Sequence, residues 1–197
     1  MSKGITRGSG LLEKFLAGQR VNVANRNIIE SSREGKVLDV GCGSLPFFLL
    51  NTNFKEKYGV DPNVDFTEAQ NNMNLYNIVL SGNNSLPFDD DFFDVITMLA
   101  VFEHLEIDTL VNILSEIYRV LRPGRRFILT TPHLIGDKLL HFMATCYLVS
   151  KEEIEEHKGI YTHAQIADYL KKAGFSQEKM QYGRFELWLN NWLVADK

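Results

Sequence analysis

Two short segments of this chain hold the residues best suited to binding chemistry. In Asp39-Val40-Gly41-Cys42-Gly43-Ser44 an apolar run enters a turn with two glycines. Those glycines reach backbone conformations closed to other residues, so a ligand can lie close against the main chain. Eighteen residues beyond Gly43 comes Asp61, where a carboxylate could accept hydrogen bonds from both hydroxyls of a ribose. Turn and acid together imply a nucleoside-containing cofactor. A full dinucleotide fingerprint wants a small residue at the sixth position of the turn, and Pro46 stands there instead. Asp39 would also set a negative charge near a pyrophosphate, which like-charge repulsion disfavours. A cationic ligand suits the turn better, and a nicotinamide-dependent oxidoreductase is disfavoured on the same grounds.

Other reactive side chains lie close by in sequence. Glu103 and His104 follow an apolar run, and His133 follows Thr131-Pro132. Each is a candidate base on the ligand side, because histidine titrates near neutral pH, although each is equally explained as a hydrogen-bonded structural group. His157, Tyr161 and His163 sit on a segment that could fold over a site. Asp61 before Pro62 could also serve only as a turn-former. Asp89-Asp90-Asp91 has no spaced partners and reads as a solvated loop, with no metal site expected. Lys151 to Glu156 reads as an exposed helical face. Arg20 and Arg26 read as solvated, with an anionic substrate group as the alternative partner.

The elements that must position these residues follow from periodicity. Leu11, Leu12, Phe15, Leu16, Val23, Ile28 and Ile29 recur loosely at helical spacing, with Gly18 expected to divide two short helices. Lys36 to Val40 predicts a buried strand, Tyr58 to Val60 a second, Asn77 to Leu80 a third and Phe93 to Leu99 a fourth. Leu110, Ile113, Leu114, Ile117 and Leu121 share one helical face, with Asp108 the expected N-cap and Pro123-Gly124 the stop. Arg126 to Thr131 predicts a fifth strand. Thr162-His163-Ala164-Gln165 has capping-box form and opens a helix that ends at Gly174. Phe175 to Lys197 predicts a closing pair of strands. Short buried strands alternating with helices predict a parallel sheet with helices on both faces and an antiparallel edge.

The 197 residues carry 21 Lys+Arg and 25 Asp+Glu, a net charge of −4, and 45% are hydrophobic. That balance predicts one globular domain and lacks the basic footprint of a phosphate-backbone binder, so nucleic acid is not an expected partner. Cys42 and Cys146 stand far apart in no metal or redox spacing, which predicts a reducing, cytoplasmic setting and no structural zinc. Met1 to Gly10 has no apolar core and does not read as a secretory signal. No run of about 18 apolar residues predicts a membrane span. Leu134 to Val149 is apolar but broken by Asp137, Lys138 and His141. It reads as a core helix, a lid, or a surface for peripheral contact with a membrane or lipid-linked substrate.

The sequence resembles the class I S-adenosylmethionine-dependent methyltransferases, of the broad type 11 group. The likeness rests on Val37 to Gly43, then Gly59-Val60-Asp61, then Ser85-Leu86-Pro87-Phe88 with Phe93-Asp94-Val95-Ile96. It continues through Glu103-His104-Leu105 and Arg119 to Gly124 leading into Phe127-Ile128-Leu129. The resemblance implies a Rossmann-like, doubly wound α/β fold with a mostly parallel seven-stranded sheet and an antiparallel C-terminal edge strand. It implies S-adenosylmethionine as cofactor, S-adenosylhomocysteine as product, and methyl transfer to a small molecule or a glycan or lipid-linked acceptor. Asp39, Gly41, Cys42 and Gly43 would hold the methionine part, Asp61 and Pro62 the ribose, and Asn83, Asn84, Ser85 and Leu86 the adenine edge. Ala100 would border the sulfonium, and His104 and His133 are the candidate catalytic bases. Within one domain spanning 1–197, the expected parts are a helical cap (1–32), a cofactor-binding half (33–131), a lid or substrate insertion (132–161) and a closing helix with strands (162–197). Leu45, Gly82 and Arg125 depart from the family pattern, and they leave open a non-enzymatic, cofactor-binding regulator as the alternative.

Overall fold

A computed structural model describes residues 11–66, 72–81, 84–133, 161–186 and 189–197, with residues 11–13 given by backbone alone. In chain order the elements are α1 (Leu11–Asn27), β1 (Lys36–Val40), α2 (Phe47–Leu50), β2 (Glu56–Asp61), β3 (Met73–Asn77), β4 (Phe93–Leu99), α3 (Ile107–Val120), β5 (Leu121–Pro132), α4 (His163–Ala173), β6 (Met180–Phe185) and β7 (Asn190–Asp196). The strands form one sheet in the order β3-β2-β1-β4-β5-β7-β6. Pairs from β3 through β5 are parallel, and β7 runs antiparallel to both of its neighbours. The expected α/β fold is present, with the reversed strand one place in from the edge.

Alternation along the strands divides the core into two layers. Val37, Val95, Ile128 and Val194 face Val21, Ala24 and Ile28 of α1 and Phe48 and Leu49 of α2. Leu38, Val40, Ile96, Met98, Phe127, Leu129 and Leu193 face Leu110, Leu114 and Ile117 of α3 and Ile166 and Leu170 of α4. Period-two burial on both faces marks a doubly covered sheet. Among the described residues no helix is long and apolar enough to cross a membrane.

Several boundaries differ from the sequence expectations. Gly18 does not divide the N-terminal segment: α1 is one helix, and a methyl group at Gly18 would meet nothing within 4 Å among the described residues. The glycine costs about 1 kcal/mol, less than the burial of Ala17, Val21, Ala24 and Ile28 returns. The third strand lies at 73–77 rather than 77–80, because β2, its one partner among the described residues, ends at Asp61 opposite Asn77. Helix α3 starts from Glu106, without a side-chain cap, and not from Asp108. Strand β5 begins at Leu121, and Arg122 to Arg125 bulge out between the pairs Phe93↔Leu121 and Val95↔Arg126. That bulge turns two guanidiniums onto the buried Asp94, Arg122 at 2.9 Å and Arg125 at 3.2 Å, while the Lys36 amide donates to it at 3.0 Å. Arg125, a departure from the family pattern, is therefore a structural clamp.

The capping box forms as expected: the Gln165 amide donates to Thr162 Oγ1, and the Thr162 amide donates to Gln165 Oε1 at 2.9 Å. Gly174 ends α4 in the left-handed region with φ 114°. Thr162→Ala is expected to lower stability by about 1 kcal/mol, read as a shift in the urea midpoint with an unchanged slope.

Candidate active site

The chain passes from β1 outward through β2 and β3, then returns across β1 to β4. The carboxyl ends of β1 and β4 thus form the crevice where an open α/β sheet binds ligands. The glycine turn leaves β1 at this point, and Ala100 leaves β4.

Gly41 and Gly43 both have positive φ, 77° and 75°. A Cβ on Gly41 would come 2.3 Å from Val101 Cγ2, whereas among the described residues one on Gly43 would meet only the Leu45 carbonyl at 3.7 Å. Gly41 is thus required by both φ and space, while Gly43 is required by φ and leaves room above it. The amides of Gly41 and Cys42 donate to the Val60 carbonyl at 2.8 and 3.3 Å. Cys42 is buried, and its Sγ stands where a side chain on Gly59 would fall, at 2.8 Å. Burial, then the carboxylates of Asp39 and Asp61, push its thiol well above the usual range, so it stays neutral. Cys146 lies outside the described residues.

Asp61 joins the two halves of this crevice. Its Oδ2 accepts from the Gly43 amide at 3.0 Å and its Oδ1 from the Asn63 amide at 2.8 Å. Each carboxylate oxygen keeps a further lone pair for an incoming donor. Pro62 opens the turn after it, and the Asp65 amide donates to the Ser44 carbonyl at 3.1 Å, tying that turn to the glycine turn. Asp39 is buried beneath the turn, with Oδ1 accepting from Thr97 Oγ1 at 2.6 Å. Burial raises its carboxyl to about 7, opposed by the Thr97 hydroxyl and reinforced by Asp61. The sequence expectations omitted Thr97, although a lone threonine in the apolar run Phe93 to Leu99 was a usable signal.

In the loop that the resemblance sets beside adenine, Gly82 and Asn83 lie outside the described residues. Asn84 spends its amide on the Val79 carbonyl at 3.0 Å, Ser85 is exposed, and Leu86 is buried in the core. The Leu86 amide donates to Glu116 at 2.8 Å, and Arg119 donates to the Leu86 and Phe88 carbonyls at 3.1 and 2.9 Å. The hydrogen bond from Arg119 holds Glu116 below the usual carboxylate range. This loop is therefore pinned to α3. Asp90 pairs with Arg119 and Asp91 with Lys197, and among the described residues no cluster suits a metal.

Ala100 has φ 56°, unusual for a residue with a side chain, and its amide donates to the Thr130 carbonyl at 3.0 Å. His104 closes the short 3-10 turn Phe102–His104 that follows. Its neighbour Glu103 is buried and accepts from Thr131 Oγ1 at 3.0 Å, a bond between the ends of β4 and β5. His133 donates its backbone amide to Leu189 at 2.8 Å, and burial and the Arg184 charge push its imidazole down. His163 hydrogen-bonds the Gly183 carbonyl through Nε2 at 3.2 Å and lies against Tyr182. The segments 134–149 and 151–156 and His157 fall outside the described residues.

Residues 38–129 match the family model of the methyltransferase domain. Demethylmenaquinone methyltransferase of Bacillus subtilis (strain 168) is 28% identical over 135 residues, covering 61% of this chain and 57% of that protein. Sterol 4-C-methyltransferase strm-1 of Caenorhabditis elegans is 32% identical over 125 residues, covering 59% of this chain and 36% of that protein. The alignments thus span little more than half of the one relative and about a third of the other. A SAM-dependent methyltransferase from Archaeoglobus fulgidus shares the fold with a TM-score of 0.69 over 94% of this chain and 97% of its own, at 18% identity. Over residues 38–129, just under half of the chain, the sequence is thus similar to the methyltransferase domain, and the fold is shared with the Archaeoglobus fulgidus structure.

Proposed function

We propose that the protein transfers a methyl group from S-adenosylmethionine to a small apolar or lipid-linked acceptor, with a glycan as the alternative acceptor class. One observation carries the reading: the Asp61 carboxylate at the end of β2 is fixed to the glycine turn through the Gly43 amide. This places a charged acceptor of hydrogen bonds beside a turn with room for a ligand over Gly43. The cofactor fits the residues present. Asp61 has lone pairs for two ribose hydroxyls, the glycines open the main chain to the methionine part, and Asp39 offers a buried carboxylate to a cation. When bound, the cofactor supplies an electrophilic methyl group on a sulfonium. The chain's own work is then alignment and exclusion of water, since an in-line displacement gains chiefly from holding the reacting atoms in place. The names of the two relatives, for a demethylmenaquinone and a sterol, support an apolar acceptor over a glycan.

Thermal melting with S-adenosylhomocysteine, S-adenosylmethionine and NAD in parallel tests this reading. Ligand at about 100 times its dissociation constant adds roughly 2.7 kcal/mol, worth several degrees in a domain of this size. The two adenosyl ligands are expected to raise Tm and NAD to leave it unchanged; stabilisation by NAD alone would overturn the reading.

Asp39 gives the site a pH dependence. Its carboxyl is raised to about 7 in the fold against 3.8 in a free chain. Between those values the folded state holds the proton and the unfolded state does not, so this residue's contribution to stability falls as pH rises from about 4 to about 7. A cation bound beside Asp39 favours the ionised form, so affinity for S-adenosylhomocysteine, through its ammonium, is expected to rise with pH through about 7. Asp39→Asn mimics the protonated side chain. It is expected to flatten both trends, measured as Tm and calorimetric Kd from pH 5 to 8; parallel profiles for the two proteins would contradict the assignment.

A further inference from the structure

Three side chains able to carry positive charge gather at the carboxyl edge of the sheet, on the side of α3 and α4. Thr131 of β5, Asn191 of β7 and Arg184 of β6 stand on one rung of the ladder. Residues opposite one another on a rung share a face. Thr131 donates to Glu103 at 3.0 Å and the Asn191 side-chain amide to the Tyr161 carbonyl at 3.4 Å, so the rung faces the α3 and α4 layer, which holds Tyr161. His133 carries β5 past this rung, with its backbone amide on the Leu189 carbonyl at 2.8 Å. His163, the first residue of α4, comes down on β6: it hydrogen-bonds the Gly183 carbonyl through Nε2 at 3.2 Å, with its ring against Tyr182. Arg184 is the next residue of β6 after Gly183, and it is exposed.

The charges that act on the two histidines are cationic. Burial lowers the His133 imidazole, reinforced by the Arg184 charge. Burial also lowers that of His163, opposed by the Gly183 bond and reinforced by Arg184 and His133. The three groups are therefore close enough to repel one another when protonated. The acids on this side are engaged elsewhere: Glu103 with Thr131, Glu103 and Glu106 beside Tyr161, and Asp168 with Lys171. Among the described residues no carboxylate forms an ion pair with Arg184. Each of the three groups gains from a negative charge placed among them, and a guanidinium binds carboxylate or phosphate through two parallel bonds. Strand β6 lies three places from β4, about 14 Å at the usual strand spacing. An acceptor whose reacting atom lies by Ala100 thus reaches Arg184 through an apolar body of that length. We propose that Arg184, with His133 and His163, forms a subsite for an anionic group, a carboxylate or a phosphate, on the methyl acceptor. This rests on the methyltransferase reading and adds the acceptor's charge to it.

The test is calorimetric titration of the S-adenosylhomocysteine-saturated protein with octanoate, octyl phosphate and 1-octanol, which share one kind of apolar chain. The wild type is expected to bind at least one of the anions about tenfold or more tightly than the alcohol, the scale of a hydrogen bond to a charged group. The tighter anion identifies the acceptor's group as carboxylate or phosphate. Arg184→Gln keeps a hydrogen-bonding side chain without the charge. It is expected to keep its Tm and its S-adenosylhomocysteine affinity, because Arg184 is exposed and three strands from β4, and to bind anion and alcohol equally. His163→Gln is expected to show a smaller preference than the wild type, and an unchanged one would remove His163 from the subsite. No preference in the wild type, or a tenfold preference that survives Arg184→Gln, would overturn the proposal. Failure of S-adenosylhomocysteine itself to bind, read in the prior titration, would instead overturn the methyltransferase reading and the acceptor subsite with it.

Discussion

Asp61→Ala is expected to weaken S-adenosylhomocysteine binding by at least about tenfold, since each hydrogen bond to a charged group contributes about 1.5–3 kcal/mol and the ribose offers two hydroxyls. The variant loses more than those contacts. It also releases the Gly43 and Asn63 amides, so the glycine turn loses one of the bonds that tie it to β2. Asp61→Asn separates the two effects, because its side-chain oxygen can still accept from one amide while the charge is gone. The alanine variant is expected to bind more weakly than the asparagine variant, with Tm nearly unchanged in both because Asp61 lies at the sheet's rim rather than in its core. Calorimetric Kd values for the three proteins check this; equal affinity in wild type and Asp61→Ala would remove Asp61 from the ribose.

The second large effect comes from Gly41→Ala. A residue with a side chain held at φ 77° carries strain of about 1–3 kcal/mol, and its Cβ would lie 2.3 Å from Val101 Cγ2. Relief requires either Val101 or the turn to move. Val101 adjoins Ala100, so either movement disturbs the crevice. Gly41→Ala is expected to lower Tm and to weaken S-adenosylhomocysteine binding by more than tenfold. The double variant Gly41→Ala, Val101→Ala removes the clash but not the strained φ, so it is expected to recover part of the lost Tm. Full recovery would show that space alone requires the glycine, and no recovery would show that φ alone does.

Much of this architecture was legible in the sequence where local and tertiary preferences agree. Lys36 to Val40 and Phe93 to Leu99 are short, apolar and buried on both faces, and their strands have the bounds the sequence predicts. The capping box at Thr162 and the left-handed Gly174 bound α4 for the same reason, since the signals are contained in the helix ends. Errors arose where a partner decides the outcome. Gly18 is a helix breaker by propensity, but α1 continues because its buried side rests on the sheet. The third strand is set by the length of β2 rather than by its own apolar residues, and β5 starts early because Arg122 and Arg125 are drawn to Asp94.

The candidate site divides in a similar way. Asp39, Gly41, Gly43 and Asp61 were legible because the turn's chemistry is local in sequence and the acid follows at the end of the next strand. Their arrangement around Thr97 and Val101 was not, since β4 meets β1 only through the crossover.

Crystals soaked in S-adenosylhomocysteine test the central assignment most directly. The account predicts one molecule per chain, with its ribose hydroxyls on the Asp61 carboxylate and its amino-acid end over Gly41 and Gly43. An empty crevice, or a ligand seated away from Asp61, would contradict it.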